Sequence, residues 1–589
     1  MFKKNDEIEV NIIDYGANGE GVAKVDNFTI FVNGAIKQEK CKVIITKVLK
    51  THAFAKAIEI THKSKNRVQS DCKTYPRCGG CSLRHIKYEE TLKIKKEKVQ
   101  NLIERNVDKN LKVNDCIGME NPFYYRNKAI YPIKYCGSDI ASEKDSNSGI
   151  LAKSALLVNN NTKKVQIEDF LRYDSNDEEL NKNNNFMQKI VPGIYAKRSH
   201  IVIPFEECKI QTKISQEIAK YICKNWKAGI YVENKVSTDE TKLNVENNAG
   251  SDETKFNVEN NAGLRETKSN LQTEKINNEQ NKTKYENYST SKQSTSIIIK
   301  NNSKASTEES KQNHKKDKAK DDFKTAEQGI LRNIMIREGF ESGEILVALV
   351  ESKFEKNALD IEKLIKEFPN IKTVVANINP NNTNVVLSNK NIILYGNGFI
   401  TDKIGDYTFK ISTNSFYQVN PKQTKVIYET AIKEANLNKN DTLCDLYSGI
   451  GTIGIFASKY VNKVYGIEIV DSAIKDAREN ARINNVKNIE FIEGDVETAF
   501  DKLLKNNTNP NAVIVDPPRK GLDEKTIENL CDLKLEKLVY VSCNPATLAR
   551  DLAILQNVYE IKSITPIDNF PYSTHVETVV ALNGIKSNK

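Results

Sequence analysis

The chain has 589 residues, of which 39% are hydrophobic and 28% are charged. At about 150 residues per domain, this length allows three or four domains. Basic residues outnumber acidic ones by 88 to 78, a formal net charge of +10 that fits a nucleic-acid partner without establishing one. No apolar run approaches the roughly 18 residues of a membrane span, and the charged first residues lack the apolar stretch typical of a secretory signal. We therefore expect a cytoplasmic protein with no membrane contact.

Residues 1–62 predict a small β domain. Runs rich in β-branched residues at 8–14, 29–32 and 42–48 are separated by glycine-containing turns. Lysines that crowd this region are compatible either with solvated strand edges or with an electrostatic footprint for a phosphate backbone. These lysines are Lys37, Lys40, Lys42, Lys47, Lys50 and Lys56.

Four of the eleven cysteines form a candidate metal site. Cys72, Cys78 and Cys81 lie close together in a glycine-containing segment, and Cys208 is the candidate for a fourth ligand. An odd number of cysteines in a chain without a secretory signal favours reduced thiols. Four thiolates suit structural zinc or an iron–sulfur cluster, and the spacing alone does not choose between them.

Two insertions interrupt the central region, which we assign to residues 63–232 and 327–412. Residues 137–190 are rich in loop-forming residues. Residues 233–326 contain no proline, cysteine, methionine or tryptophan, and their segment 239–250 recurs almost unchanged at 252–263. Two copies of so short a repeat cannot stack into a core, and such a polar composition does not offset the entropy of ordering. We predict that residues 233–326 are disordered.

Residues 413–589 predict a parallel sheet with a cofactor site. Strand and helix patterns alternate there, as in βαβ units. A hydrophobic strand is followed by Gly449, Gly451 and Gly454 in the pattern G-x-G-x-x-G, and Glu468 lies at the end of the next strand. A carboxylate at that position can accept ribose hydroxyls, so the pattern alone indicates a nucleotide cofactor, with NAD as the default.

Acidic residues argue against NAD at this site. Asp445 precedes the glycine turn, while Asp495 and Asp516 follow two further strands. A pocket lined by acids suits a sulfonium cation better than a pyrophosphate. The pattern therefore favours S-adenosylmethionine over NAD as the cofactor. Either cofactor is favoured over a plain strand–helix turn that binds nothing.

Cys543 is the candidate nucleophile. It ends a buried strand at the sheet edge that carries Glu468 and Asp516, and a helix begins directly after it. We expect the helix N-terminus to lower the pKa of this thiol, although buried cysteines are more often inert. Glu577, which stands among apolar strand residues, is interpreted as a placed carboxylate.

Six motifs in chain order resemble the RNA (uracil-5-)-methyltransferase family, most closely its bacterial 23S rRNA branch, and the N-terminal region resembles the TRAM domain of that branch. The resemblance covers nearly the whole chain apart from the two insertions. The motifs are Ser415–Asn420, Asp445–Gly454, Gly466–Glu468, Asp516–Gly521, Ser542–Pro545 and His575–Thr578.

This resemblance implies an α/β architecture: a C-terminal Rossmann-like methyltransferase domain, an OB-like N-terminal barrel that binds RNA, and a central α+β domain carrying a 4Fe-4S cluster. It implies that Cys543 adds to uracil C6 and that Glu577 accepts the C5 proton, giving 5-methyluridine in 23S rRNA. The resemblance assigns S-adenosylmethionine binding and cluster ligation to two sets of residues. These are Gln418, Tyr447, Glu468 and Asp516 for the cofactor, and Cys72, Cys78, Cys81 and Cys208 for the cluster.

Three alternatives remain at this stage. The substrate could be a tRNA T-loop, although the cysteines and the TRAM-like region favour rRNA. An RNA-binding module without catalysis is disfavoured because nucleophile, base and cofactor positions are all filled. A DNA cytosine-C5 methyltransferase shares the thiolate chemistry but normally has its cysteine after a proline, whereas here Cys543 precedes Asn544 and Pro545. We expect a monomer without a stable protein partner.

Overall fold

The computed structural model describes residues 2–136, 189–227, 331–381, 383–506 and 508–584. The predicted insertion at 233–326 lies outside the described residues. The same holds for the insertion at 137–190, except that Lys189 and Ile190 begin a strand.

An N-terminal sheet is formed by β1 (Glu7–Asn11), β2 (Asp14–Tyr15), β3 (Gly21–Val25), β4 (Phe28–Asn33), β5 (Lys40–Val48) and β6 (His52–His62). Its strand order is β1-β5-β6-β4-β3-β2. Because successive side chains point to opposite faces of a strand, alternate residues such as Ile30, Val32, Ala53 and Ala55 are fully buried. This confirms the predicted N-terminal β domain.

The central sheet is built from β7 (Lys128–Cys136), β8 (Lys189–Tyr195), β9 (Val202–Pro204), β10 (Leu331–Glu338), β11 (Ile345–Glu351), β12 (Ile371–Ile378) and β13 (Asn391–Tyr395). Its order is β13-β12-β11-β10-β7-β8-β9, so strands on both sides of the long insertion meet in one sheet. The helices of this region are α1 (Tyr88–Asn106), α2 (Lys213–Asn225) and α3 (Ile361–Glu367). A hairpin of β14 (Phe399–Ile404) and β15 (Tyr407–Ser412) follows.

The C-terminal sheet consists of β16 (Thr442–Leu446), β17 (Lys463–Glu468), β18 (Ile489–Glu493), β19 (Ala512–Val515), β20 (Lys537–Ser542), β21 (Tyr559–Ile567) and β22 (Glu577–Gly584). Its order is β18-β17-β16-β19-β20-β22-β21. The first five strands in that order are parallel, and β22 runs antiparallel between β20 and β21. This doubly wound arrangement confirms the predicted Rossmann-like class.

Helices cover both faces of the C-terminal sheet. They are α4 (Pro421–Ala435), α5 (Thr452–Ala457), α6 (Asp471–Ile483), α7 (Val496–Lys505), α8 (Glu524–Leu533) and α9 (Pro545–Leu555). One apolar core includes residues of α4, α5 and α6, and a second includes residues of α7, α8 and α9. Val99 and Ile103 of α1 belong to the second core, so a helix from the cysteine-bearing region packs against the C-terminal sheet and its helices.

Within the described ranges, none of the helices combines the length and apolarity needed to cross a bilayer.

Candidate active site

Polar residues meet at one edge of the C-terminal sheet because of the strand register. The last residue of β16 pairs with the last residue of β19 and with the last but one residue of β17. Tyr447 and Asp516 directly follow β16 and β19, and Glu468 ends β17. The parallel register therefore brings these three predicted cofactor residues to the same rim, where open α/β sheets bind ligands.

The glycine turn after β16 is held by carboxylates. The Gly449 N–H donates to Glu468 Oε2 at 3.0 Å, and the Gly454 N–H donates to Asp445 Oδ2 at 2.8 Å. A pyrophosphate at such a turn needs free backbone N–H groups. Here two of them are already bonded to acids. The turn therefore disfavours a polyanion such as NAD and is compatible with a cation.

Backbone conformation at the turn explains two residue choices. Gly451 has a φ of +80°, and a Cβ atom there would come within 2.6 Å of the Phe491 ring. Tyr447 also has a positive φ, +66°, which is strained for a tyrosine. Its hydroxyl donates to Asp523 Oδ2 at 3.1 Å. This tether fixes Tyr447 at the rim.

Two paired strands bring the candidate nucleophile and the candidate base close enough for the charge of Glu577 to act on the Cys543 thiol. Ser542, the last residue of β20, pairs with Thr578 of the antiparallel strand β22. Cys543 and Glu577 are the next residues outward on the two strands, and Glu577 is buried. The sequence predicts that Cys543 ends a strand and that Glu577 is a placed carboxylate. That the two residues lie close together follows only from the pairing of β20 with β22.

Burial dominates the electrostatics of this group. It raises the pKa of Asp516 to about 7. Burial and the neighbouring Asp516 raise the pKa of Glu577 to about 8. Burial, Glu577 and Asp516 raise the pKa of Cys543 to about 11, against the opposing charge of Arg519. The prediction that the helix N-terminus lowers the pKa of this thiol is therefore wrong, because burial and two acids outweigh the start of α9.

Arg519 lies at the mouth of this group. Its backbone carbonyl accepts hydrogen bonds from Asn544 Nδ2 at 2.9 Å and from Thr547 Oγ1 at 3.3 Å. These bonds tie the loop after Asp516 to the start of α9, directly beside Cys543. The exposed guanidinium contributes the positive charge that opposes the raised pKa values of Cys543 and Glu577.

Asn569 connects Gln418 to the candidate base. The Asn569 side chain is fully buried, and its Nδ2 donates to Gln418 Oε1 at 3.3 Å. It also makes a hydrogen bond to Glu577 that opposes the rise in the pKa of that carboxyl. Asn569 is not predicted from the sequence. It lies in a loop without periodicity, and its two partners are far from each other in the chain.

A buried ion pair holds the loop before Glu577. Lys95 of α1 and Asp568 are both fully buried and paired, and Lys95 Nζ also donates to the Phe570 carbonyl at 3.0 Å. The Tyr88 hydroxyl donates to Asp568 Oδ2 at 2.8 Å. This pair is not predicted from the sequence either, since one lysine among many on a Lys-rich helix gives no sign of burial.

The cysteine-bearing segment contacts the same loop. The backbone N–H groups of Ser82 and Leu83 both donate to the Tyr572 carbonyl at 2.9 Å. The Arg84 guanidinium lies 4.7 Å from the centre of the Tyr572 ring, a cation–π distance. The segment that contains three of the predicted metal ligands therefore supports the approach to Glu577.

The four predicted metal ligands are brought into one neighbourhood. Burial is the main cause of the raised pKa values of Cys78 and Cys81, and the nearby charges of Cys208 and Cys72 add to both. The sulfur of Cys78 accepts the Gly80 N–H at 3.2 Å. Four thiols are the type of ligand that binds iron–sulfur clusters. Across the described ranges, however, no group of three or more histidine, cysteine or acidic side chains is arranged to hold a metal ion. The 4Fe-4S cluster therefore stays a prediction.

Comparisons with known proteins agree with this architecture. The sequence model described as TRAM domain matches residues 2–58, and the one described as tRNA (Uracil-5-)-methyltransferase matches residues 342–585. A protein of Clostridium acetobutylicum named as an uncharacterized RNA methyltransferase is 33% identical over 99% of this chain and 98% of its own length. The chain belongs to the RNA (uracil-5-)-methyltransferase family. The resemblance seen in the motifs is thereby confirmed.

Further relatives carry the same kind of name. Uncharacterized RNA methyltransferases of Staphylococcus aureus and Halalkalibacterium halodurans are each 32% identical, over 98% of this chain and 98% and 97% of their own lengths. The crystal structure of a Pyrococcus abyssi tRNA (uracil-54, C5)-methyltransferase in complex with S-adenosyl-L-homocysteine is similar in fold. Its TM-score is 0.56 at 20% identity, with 98% of this chain and 99% of that chain covered. Membership of the family makes this chain an S-adenosylmethionine-dependent RNA methyltransferase.

Proposed function

We propose that this enzyme transfers a methyl group from S-adenosylmethionine to C5 of a uridine in 23S rRNA through a covalent bond between Cys543 and uracil C6. The observation that carries the proposal is the pairing of Ser542 with Thr578, which brings their neighbours Cys543 and Glu577 close enough for the charge of Glu577 to act on the thiol. Gln418, Tyr447, Glu468 and Asp516 are the residues proposed to hold the methyl donor. The substrate would place the enzyme in the cytoplasm, where we expect it to act as a monomer.

The chemistry needs a nucleophile and then a base. Uracil C5 is a poor nucleophile until the Cys543 thiolate bonds to C6 and the C5–C6 electron pair moves into an enolate. S-adenosylmethionine, when bound, would supply its sulfonium methyl group to C5, and the broken S–CH3 bond would leave neutral S-adenosylhomocysteine. C5 then carries both a methyl group and a proton. Glu577 takes that proton, the C5–C6 double bond re-forms, and the C6–S bond breaks to return the thiolate.

The resting charges fit this order of events. With a pKa of about 11, the Cys543 thiol is protonated at neutral pH in the empty site. A positive charge close to a thiol or a carboxyl favours its ionised form, so a sulfonium beside Asp516 would lower the pKa values of Cys543 and Glu577. Arg519 acts in the same direction. We therefore expect the Cys543 thiol to ionise more readily when the methyl donor is bound than in the empty site.

A uridine must leave its stack to reach Cys543. A thiol on a sheet rim cannot attack C6 of a base inside a helix, so the target base is flipped out or already unpaired. The exposed guanidinium of Arg519 lies at the mouth and can contact the phosphate or the base carbonyls of such a nucleotide.

We also propose that Cys72, Cys78, Cys81 and Cys208 hold a 4Fe-4S cluster that supports the fold or positions RNA. Four neighbouring thiols support this assignment, as do the backbone N–H groups that bond to the sulfurs of Cys78 and Cys208. No proposed step uses the cluster. Anaerobically purified protein should contain iron and inorganic sulfide in equal amounts. Stoichiometric zinc without iron would overturn the assignment.

The substrate is tested by mapping 5-methyluridine in a strain that lacks this gene. The proposal expects 5-methyluridine to be lost from 23S rRNA and retained in tRNA. Loss from the tRNA T-loop alone would instead establish the alternative substrate. Purified enzyme with labelled S-adenosylmethionine should label RNA and leave duplex DNA unlabelled. Label in DNA would contradict the proposal.

A further inference from the structure

A buried side-chain oxygen beside the candidate proton acceptor has no hydrogen-bond partner in the part of the chain that the structure describes. It is Oδ1 of Asn569, a fully buried residue. The other polar groups of Asn569 are bonded. Its backbone N–H donates to the Ile567 carbonyl at 3.0 Å, and its carbonyl accepts from Asn420 Nδ2 at 3.1 Å. Its Nδ2 donates to Gln418 Oε1 at 3.3 Å.

Such an oxygen needs an explanation. Burial removes its hydrogen bonds to water, and without a replacement the folded state is destabilised. Other buried atoms in the described ranges also lack partners, but Asn569 is the residue among them that contacts both Gln418 and Glu577. The free oxygen therefore belongs to the side chain that links a proposed cofactor residue to the proposed proton acceptor.

Both partners of the Asn569 amide hold its nitrogen and leave its oxygen free. Gln418 Oε1 accepts one amide hydrogen, and Glu577 makes a hydrogen bond with Asn569 that opposes the rise in the pKa of the Glu577 carboxyl. An ionised carboxylate only accepts hydrogen bonds, so the amide nitrogen is the group that bonds to it. Turning the amide over would bring Oδ1 against that carboxylate. Oδ1 therefore remains available to a donor that the described residues do not supply.

A uracil bound for the proposed reaction brings such a donor to this place. Glu577 must reach the proton on C5, and around the pyrimidine ring C5 is followed by C4 and then by N3. N3 carries a hydrogen in uracil and lies directly across the ring from C6, the atom to which Cys543 bonds. A side chain bonded to Glu577 can therefore reach the edge of the ring that faces away from Cys543.

The N3 edge also distinguishes uracil from cytosine. Uracil presents an N–H donor at N3, whereas cytosine presents a lone pair there. An acceptor fixed at this edge gains a hydrogen bond from uracil. With cytosine, two lone pairs would oppose each other and the buried oxygen would stay without a partner. Sites built to bond one group of a substrate reject analogues without that group for this reason.

We propose that Asn569 Oδ1 accepts the N3–H of the target uracil and so makes the enzyme select uridine over cytidine. Asn569 is then a specificity-determining residue as well as a link between Gln418 and Glu577. This role rests on the proposed function in so far as that function brings a uracil to Cys543 and Glu577. It is the same whether the RNA is 23S rRNA or a tRNA.

The test compares three RNA stem-loops as ligands. One spans the uridine that the mapping of 5-methyluridine identifies, and the second has cytidine at that position. The third has 4-thiouridine there, which keeps the N3–H and replaces O4 by sulfur. The full-length protein carries Cys543→Ala, so that no covalent bond contributes, and S-adenosylhomocysteine is saturating. Fluorescence anisotropy at pH 7 gives the dissociation constants.

With Asn569 present, the uridine stem-loop should bind about tenfold more tightly than the cytidine stem-loop, and the 4-thiouridine stem-loop should bind within about threefold of the uridine one. Asn569→Leu keeps most of the side-chain volume and loses the acceptor. It should weaken binding of the uridine stem-loop about tenfold and leave binding of the cytidine stem-loop within about twofold. Asn583→Leu, at an exposed position of β22, is the matched control and should keep the full preference for uridine.

Equal losses for the uridine and cytidine stem-loops in Asn569→Leu would overturn the inference, because they would show that Asn569 acts only through Gln418 and Glu577. A preference for uridine that Asn569→Leu leaves unchanged would overturn it too, as would equal binding of both stem-loops when Asn569 is present. Weak binding of the 4-thiouridine stem-loop would show that O4 is recognised instead of N3. Thermal unfolding checks each variant, and Asn569→Ala gives the same comparison if Asn569→Leu does not fold.

Failure of the proposed function is distinguishable from these outcomes. A deletion strain that keeps all of its 5-methyluridine would refute the proposed function before any stem-loop is made. A strain that loses 5-methyluridine, combined with equal binding of the uridine and cytidine stem-loops, would refute the role of Asn569 and leave the proposed function standing.

Discussion

The two ends of the candidate active site are held in different ways. At the glycine turn, the carboxylates of Glu468 and Asp445 are bonded by backbone N–H groups of the turn beside them. At the other end, Glu577 depends on Asn569 and on a loop anchored by Lys95 of α1. The first end is thus assembled locally, whereas the second needs contacts between segments far apart in the chain.

Because of this difference, cofactor binding and methyl transfer should depend on different parts of the chain. The end at the glycine turn, which is assembled locally, is the one that we propose to bind the methyl donor. The end with Cys543 and Glu577 is tied to α1 and to the cysteine-bearing segment, which belong to the region preceding the catalytic sheet. Damage in that region should therefore impair methyl transfer before it impairs cofactor binding. The following predictions test that separation, from the largest expected effect to the smallest.

Cys543→Ala should reduce methyl transfer by about 10⁴-fold or more, because loss of a nucleophile removes the covalent route. The affinity for S-adenosylhomocysteine should change less than about threefold. Radiolabel transfer and calorimetry measure the two quantities. Cys531→Ala, in α8 and outside the rim, serves as the control and should remain active. Substantial turnover by Cys543→Ala would remove the thiol from the mechanism.

Lys95→Met should destabilise the protein by about 3–5 kcal/mol, because it leaves Asp568 buried without its partner. Lys475→Met breaks an exposed i,i+4 pair with Asp471 and should cost less than about 0.5 kcal/mol. Chemical denaturation of both variants gives the comparison. Equal stabilities for the two variants would show that the buried pair does not brace the loop.

Asn569→Ala should shift the pH dependence of methyl transfer. Glu577 must be ionised to accept a proton, so the rate rises as the pH passes through its pKa. The Asn569 hydrogen bond opposes the rise in that pKa. Its loss should therefore move the midpoint to higher pH and reduce the rate about tenfold at pH 7, with recovery at pH 9. Asn583→Ala, at an exposed position of β22, should leave the midpoint unchanged. An equal loss at every pH for Asn569→Ala would indicate a purely structural role.

The affinity for S-adenosylmethionine should rise severalfold between pH 6 and pH 8. The pKa values of Asp516 and Glu577 are raised to about 7 and about 8, so these acids ionise in that window. A sulfonium cation binds their ionised forms better, and its binding releases protons. S-adenosylhomocysteine lacks that charge and should show a weaker dependence. Parallel pH profiles for the two ligands would contradict the proposed position of the sulfonium.

The same contrast explains how much the sequence could predict. Strand ends, glycine spacing and acids at fixed offsets predicted that Glu468, Asp516 and Cys543 share one rim of the sheet, because parallel strands bring their carboxyl ends together whatever the rest of the chain does. The opposition of Cys543 and Glu577 depends on the antiparallel register of β22. In the sequence, the only indication of this arrangement is that Glu577 is a carboxylate among apolar strand residues.

Other features lay beyond sequence reasoning for physical reasons. The raised pKa of the Cys543 thiol reflects burial and two neighbouring acids, which a helix-terminus argument does not include. Lys95 resembles its exposed neighbours in sequence and is recognisable only by its buried partner Asp568. Asn569 sits in a loop, where no periodicity marks which side chain points inward.

The central claim is the covalent bond between Cys543 and the uracil ring, and Glu577→Gln tests it most directly. Glutamine cannot accept the C5 proton, so methylated RNA should remain attached to the enzyme after denaturation. Mass spectrometry after digestion should find 5-methyluridine bonded to the peptide that contains Cys543. Release of free methylated RNA at the wild-type rate, or attachment to a different residue, would contradict the account.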